Sequence, residues 1–480
     1  MRSHSLPFVL AGLALAAQTA TAQSAEQRST LADQHEVAVT IYNDNLALVK
    51  DQRRVQLKTG AGALAFRDVS ARMRPETAQL RSVSVPGALS VVEQNFDFDL
   101  LTPQKMLEKY VGQTVNVVRT NPTTGAETTE VATVLSANNG VVLQIGQRIE
   151  TGLPGRLVFG SVPANLRDRP TLVMALENTA AAAQDVELSY LTGGLAWKAD
   201  YVVELNAADD RLDMSGWVTL TNTSGASYRN ARVQLVAGDV NQVAPEVAQR
   251  GRVLMAAPAM AKAVGDVAQE SLFEYHLYTL GRPTTIAENQ TKQVSLLSAS
   301  GVPVRKELLL RGSDYYYQSS VGDLGQKLKV SVFVEFENKE SARLGLPLPK
   351  GVIRVYKKDS AGNAQFIGED RIDHTPKGEK VRLKLGDAFD VTADKKQTDF
   401  KKLGGTGKYN AVYESAFEIV LKNAKKEAVV VTVQEPMPGD WQILSASQPH
   451  TKDASNTATW NVAVPAEGQT TLTYRALVRY

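Results

Sequence analysis

The chain has 480 residues, with 53 Lys and Arg against 51 Asp and Glu, 6% aromatic residues and no cysteine. Charge this close to balance argues against a dedicated nucleic-acid binder, which shows a strong basic excess. The lack of cysteine excludes disulfides, thiolate metal sites, a cysteine nucleophile and a lipid-bearing cysteine at a processed N-terminus.

Residues 1–22 read as an export leader. Arg2 and His4 precede an apolar run over residues 6–17, and Ala20-Thr21-Ala22 gives the small-x-small pattern, with cleavage expected before Gln23. The run is shorter than the roughly 20 residues a spanning helix needs. A periplasmic or secreted protein without a membrane span is therefore expected. Cleavage leaves room for about three domains at roughly 150 residues each.

Residues 23–100 form an N-terminal β region. It opens with "VAVTIYNDNLALVKDQRRVQL", two alternating runs around Asn43-Asp44-Asn45 that predict a hairpin. Residues 101–165 begin with "LTPQKMLEKYVG", a short helix with Thr102 as N-cap and Pro103 at its first position. A meander follows, "QTVNVVR", "TEVATVLSA" and "VVLQIG", with tight turns at "NPTTG" and "NNG". It predicts a small SH3-like barrel insert. Residues 166–242 are one part of a β-sandwich, with a bend at Gly193-Gly194 and with Trp197, Ala199 and Tyr201 on one face. The Ala-rich stretch 243–270 reads as a linker or mobile loop. Residues 271–410 resume the sandwich pattern, and "KKQTDFKK" at 395–402 reads as a solvated loop. Residues 411–480 predict an immunoglobulin-like sandwich with Trp441 and Trp460 in its core. The expected class is all-β: immunoglobulin-like β-sandwich modules plus the small barrel, with little helix.

One unit recurs. Counting back by twos from Asn222 gives Leu220, Val218 and Gly216, the inward row of a strand. Asn178 ends the row Leu172, Met174, Leu176; Asn338 ends Val332, Val334, Phe336; Asn423 ends Phe417, Ile419, Leu421. A polar turn and a new alternating run follow each time. An Asn side chain bonds the backbone of such a turn, which removes the cost of unpaired backbone groups at a buried strand end. These four asparagines are read as structural joints rather than reactive groups.

Motifs for chemistry are scarce. "GGTGK" at 404–408 lacks the first glycine of a phosphate loop, where Lys402 stands, and the Ser or Thr after the lysine, where Tyr409 stands. His35 in "HEVAV" lacks a second zinc-binding histidine, and no G-x-S-x-G stretch exists. Asp370, Asp373 and His374 in "GEDRIDHTP" are the best metal-type cluster. Along an extended strand Asp370 and His374 lie roughly 13 Å apart, so only a tight turn could bring them together. A charged strand edge that discourages aggregation is the other reading. The C-terminal "LTYRALVRY" alternates like an outer-membrane barrel strand, but charges such as Glu335 and Glu337 on other strands do not fit a lipid face.

"YLTGGLAWKADYVVEL", "GWVTLTNTSGASYRNARVQLVAGDVN", "FEYHLYTLGRPTTIAENQTKQVSLL", "LPLPKGVIRVYKKD", "FIGEDRIDHTPKGEKVRLKLGDAFDV" and "VQEPMPGDWQI" form six ordered blocks. Over roughly residues 165–480 they resemble the bacterial domain-of-unknown-function family numbered 4139, the C-terminal domain of mucoidy-inhibitor-like proteins. Those proteins place a coiled coil before the domain, whereas this chain has no heptad run and carries the small barrel. The resemblance implies a fold and assigns no residue a role. The expected function is that of an exported, non-catalytic cell-envelope protein, a scaffold or binding module for a protein or glycan partner without a cofactor. A metal-dependent hydrolase on Asp370, Asp373 and His374, and an outer-membrane barrel, are the alternatives.

Overall fold

The computed structural model describes residues 26–480 except 44, 164–165, 181–182, 239, 243–266, 273–274 and 406. The expected leader and most of the expected linker lie outside the described residues. The end of that linker does not: Val267–Leu272 is a strand, antiparallel to Tyr275–Leu280. The chain divides into two compact units, 26–36 with 50–190 and 37–49 with 191–480. Strand dominates both, and among the described residues the one α-helix is Pro103–Lys109.

In the first unit, strands Gln27–Ser29, Gly60–Arg67, Thr171–Asn178 and Leu89–Asp97 form a sheet in that order. Only the first pair is parallel. The helix starts where the sequence signals it: Pro103 is at its first turn and the Thr102 hydroxyl accepts from the Lys105 amide at 3.1 Å. The following meander is a five-stranded sheet, ordered Arg148–Thr151, Val142–Ile145, Glu127–Ser136, Thr114–Thr120, Arg156–Val158. It is open, which corrects the expected closed barrel. Its two edge strands have four and three residues and do not pair with each other. The helix covers the apolar face instead: Met106, Leu107 and Tyr110 pack with Val115, Val117, Val134 and Leu143.

In the second unit ten strands form a continuous ladder that begins Ala364–Ile372, Gly351–Lys358, Leu195–Leu205, Arg211–Asn222, Gln290–Arg311. It continues through Asp323–Glu337, Lys380–Lys402, Val412–Asn423, Gly468–Arg479 and Asp440–Ala446. Two strands are exceptionally long. Gln290–Arg311 has 22 residues and Lys380–Lys402 has 23. The first pairs with Arg211–Asn222 over its start and with Asp323–Glu337 and Val429–Pro436 over its end. The stretch 395–402, read as a loop, is the end of the second. Lys395 lies on its buried side because it continues the inward row Val391, Ala393. The C-terminal sandwich closes on Phe417, Tyr317, Tyr474 and Trp460, with Trp441 at the margin of the same core.

The four asparagines share one geometry, each at the buried end of its strand. Asn222 Nδ2 donates to the carbonyls of Ala226 (2.8 Å) and Ala287 (3.0 Å), and its Oδ1 accepts from the Ser224 amide (3.0 Å) and hydroxyl (2.8 Å). Asn178 donates to the Lys58 and Ala180 carbonyls and accepts from the Ala180 amide. Asn338 bridges the Leu346 and Pro376 carbonyls and the Gly345 amide. Asn423 bridges Glu427, Pro465 and Lys425 in the same way. Each amide thus satisfies backbone groups that the ladder cannot reach.

Candidate functional site

The strand Arg211–Asn222 buries Leu212, Met214, Gly216, Val218 and Leu220. The opposite row, Asp213, Ser215, Trp217 and Thr221, faces outward together with the sheltered Thr219. An exposed aromatic in a polar row is out of place on a plain solvent face, and Trp217 is 38% exposed. Its neighbours follow from the register. Asp200 stands opposite Trp217, with Lys198 and Val202 opposite Thr219 and Ser215. On the far side Ser295 meets Trp217 and Gln293 meets Thr219. Arg354 and Tyr356 flank Val202 and Glu204, and Glu369 and Phe366 lie beyond them. Five strands thus present one polar face with an aromatic at its centre and a second aromatic pair, Tyr356 and Phe366, edge to face at 5.6 Å. Two strand spacings and four residues of rise place Trp217 and Tyr356 roughly 16 Å apart.

Local irregularity positions the tryptophan. The register shifts between Gly216 and Trp217, so that one extra residue, Leu296, stands opposite this point. Such a bulge twists a strand and re-aims its side chains. Gly216 is required beside it: a Cβ there would lie 2.9 Å from Leu297 Cγ and 3.3 Å from the Tyr201 ring. Tyr201 is buried below and donates to the Pro349 carbonyl at 2.8 Å.

The polar groups on this face hold one another in place. Thr219 Oγ1 donates to Asp200 Oδ2 at 2.8 Å, and Arg354 Nη1 donates to Asp200 Oδ1 at 3.0 Å. Gln293 Nε2 donates to Thr219 Oγ1 at 3.2 Å, and Arg354 Nε lies 3.2 Å from Glu369. Burial pulls the Asp200 carboxyl upward. The hydrogen bonds from Thr219 and Arg354 and the charges of Lys198 and Arg354 outweigh it, and the group sits below the usual carboxylate range. A carboxylate so stabilised stays ionised and is a poor proton acceptor.

The metal-type residues do not converge. Asp370 accepts from the backbone amides of Arg371 (2.8 Å) and Lys384 (2.7 Å). His374 Nδ1 accepts from the Lys350 amide at 3.2 Å. Asp373 is exposed, and its carbonyl accepts from the Thr375 hydroxyl. Strand and turn thus direct Asp370 and His374 to different backbone segments, and among the described residues no three such side chains could hold an ion. Gly404 and Gly407 have positive φ, as at a tight turn. A separate recess of about 210 Å³ is lined by Leu205, Val332, Val334 and Ile367, with Asp209 held between Lys306 and Lys357 at its rim.

Trp217, Asp200 and Arg354 were not singled out from sequence. Parity alone marks Trp217 as outward; the Asp200–Arg354 contact spans 154 residues and leaves no local signal.

Residues 186–480, which include every strand of this face, match the family described as domain of unknown function (DUF4139). No curated protein matches the chain.

Proposed function

The chain belongs to the DUF4139 family, and we propose that it is a non-catalytic binding module of the cell envelope, exported by its leader, whose face around Trp217 takes an extended glycan. The carrying observation is the exposed Trp217 beside the ordered Thr219–Asp200–Arg354 chain. An indole presents a broad apolar surface to the apolar face of a sugar ring, while fixed hydroxyl, carboxylate and guanidinium groups meet its hydroxyls. Because these groups are already ordered, binding carries little cost for immobilising them. Tyr356 and Phe366 would receive a ring farther along the same chain.

Co-sedimentation with purified peptidoglycan, and affinity electrophoresis in a panel of soluble polysaccharides, test this. Trp217→Ala is expected to weaken retention at least about tenfold, equivalent to about 1.4 kcal/mol. No retention by any glycan, or equal retention of the variant, overturns the reading. Export is tested separately: the osmotic-shock fraction should contain a chain starting at Gln23.

A further inference from the structure

The C-terminal sandwich buries one lysine and one glutamate against each other. Lys395 on Lys380–Lys402 is 3% exposed and Glu435 on Val429–Pro436 is wholly buried. Lys395 Nζ lies 2.5 Å from Glu435 Oε1. Rings wall the contact: Nζ is 4.4 Å from the centre of Tyr316 and 5.2 Å from that of Phe417. The Tyr317 hydroxyl donates to Glu435 Oε2 at 3.1 Å and shares a 2.8 Å hydrogen bond with the Tyr474 hydroxyl. Gly312 makes room for the carboxylate, since a Cβ there would stand 2.1 Å from Oε2. Taking two charges into such a site is costly. Burial pushes the Lys395 ammonium down, against the opposing pull of Glu435. Moving one proton from nitrogen to carboxylate leaves a neutral amine touching a carboxylic acid, held there by the fold as a single reacting pair.

We propose that Lys395 and Glu435 condense into an intramolecular amide that joins the two layers of the C-terminal sandwich. The nitrogen lone pair attacks the Glu435 carboxyl carbon. Electron density moves to Oε2, where the Tyr317 hydroxyl already donates. The other oxygen, carrying the acid proton, takes a second proton from the attacking nitrogen and leaves as water. One C–N bond forms, one C–O bond breaks, and nothing is oxidised or reduced. The bond would close a loop between residues 40 apart, giving a chain without cysteine a covalent tie.

The decisive measurement is the intact mass of the purified, processed chain in denaturant. The expected value is lighter than the sequence by one water. A tryptic digest should then give one branched peptide joining the Lys395 and Glu435 segments, with no cleavage after Lys395. Lys395→Arg should restore the full mass and lose the branched peptide. A wild-type mass equal to the sequence, with ordinary cleavage after Lys395, overturns the proposal. That reading comes from the wild type alone, so it stands if the variant does not fold.

Discussion

Asn222→Ala removes a side chain that is fully buried and makes bonds in both directions. The loss removes the acceptor of the Ser224 amide and strips the Ala226 and Ala287 carbonyls of their nearest donor. The Ser224 hydroxyl keeps contacts with the Ala226 carbonyl (3.4 Å) and the Tyr228 hydroxyl (3.1 Å), so it is not counted. With the bonds to the Ser224 amide and the Ala287 carbonyl lost at about 1–3 kcal/mol each, the second unit should lose about 2–6 kcal/mol. The neighbouring Thr221→Ala, on an exposed position, should cost less than about 0.5 kcal/mol. All four tryptophans, Trp197, Trp217, Trp441 and Trp460, belong to the second unit. Equilibrium urea unfolding followed by tryptophan fluorescence therefore reports that unit alone. Asn222→Asp sharpens the test: it keeps an acceptor for the Ser224 amide but turns lone pairs toward two carbonyls. Its deficit should grow as pH rises through the carboxyl titration. If Asn222→Ala unfolds within about 0.5 kcal/mol of wild type, the joint owes nothing to these bonds and the reading of all four asparagines fails.

Trp217→Ala should keep the second unit folded, at a cost below the roughly 3–5 kcal/mol of truncating a fully buried aromatic, while weakening glycan retention; a stability loss as large as that would mark Trp217 as core. Adjacent lysines should behave oppositely. Lys395→Met leaves the Glu435 carboxylate buried without the nitrogen that faces it, whether paired or amide-linked, and should cost at least about 3–5 kcal/mol, whereas Lys396→Ala breaks an exposed pair with Glu418 worth about 0–1 kcal/mol; equal effects in urea unfolding would refute the inward placement of Lys395. Glu26 receives two bonds from Arg167, at 2.9 and 2.8 Å, which hold its carboxyl below the usual range against its partial burial. The stabilisation is present above the unfolded value of about 4.3 and fades as pH falls through the lower folded value. Glu26→Gln should remove that acid-range slope from the first unit's thermal unfolding; an unchanged slope would assign it to other carboxylates.

The inward rows were legible because burial fixes strand parity, and a one-residue slip would turn every apolar side chain out. The same counting reached the four asparagines, since each merely extends its row by one step. It did not reach the openness of the small sheet, which depends on whether strands 148–151 and 156–158 meet, and no local pattern encodes that. Nor did it reach Asp200 with Arg354, a contact set by the parallel pairing of Leu195–Leu205 with Gly351–Lys358. Lys395 is a different case. The row Val391, Ala393, Lys395, Gln397 was in plain view, but the density of charge in "KKQTDFKK" outweighed it. Charge density describes the average environment of a segment, whereas parity describes a single side chain. Where they conflict within a strand, a lysine on the inward row must find an anion or neutralise. The sequence answers with a glutamate on the inward row Val431, Val433, Glu435 of the facing layer. Two charged residues on the inward rows of two apolar strands are thus a readable sign of a buried pair, even when the contact between them is not.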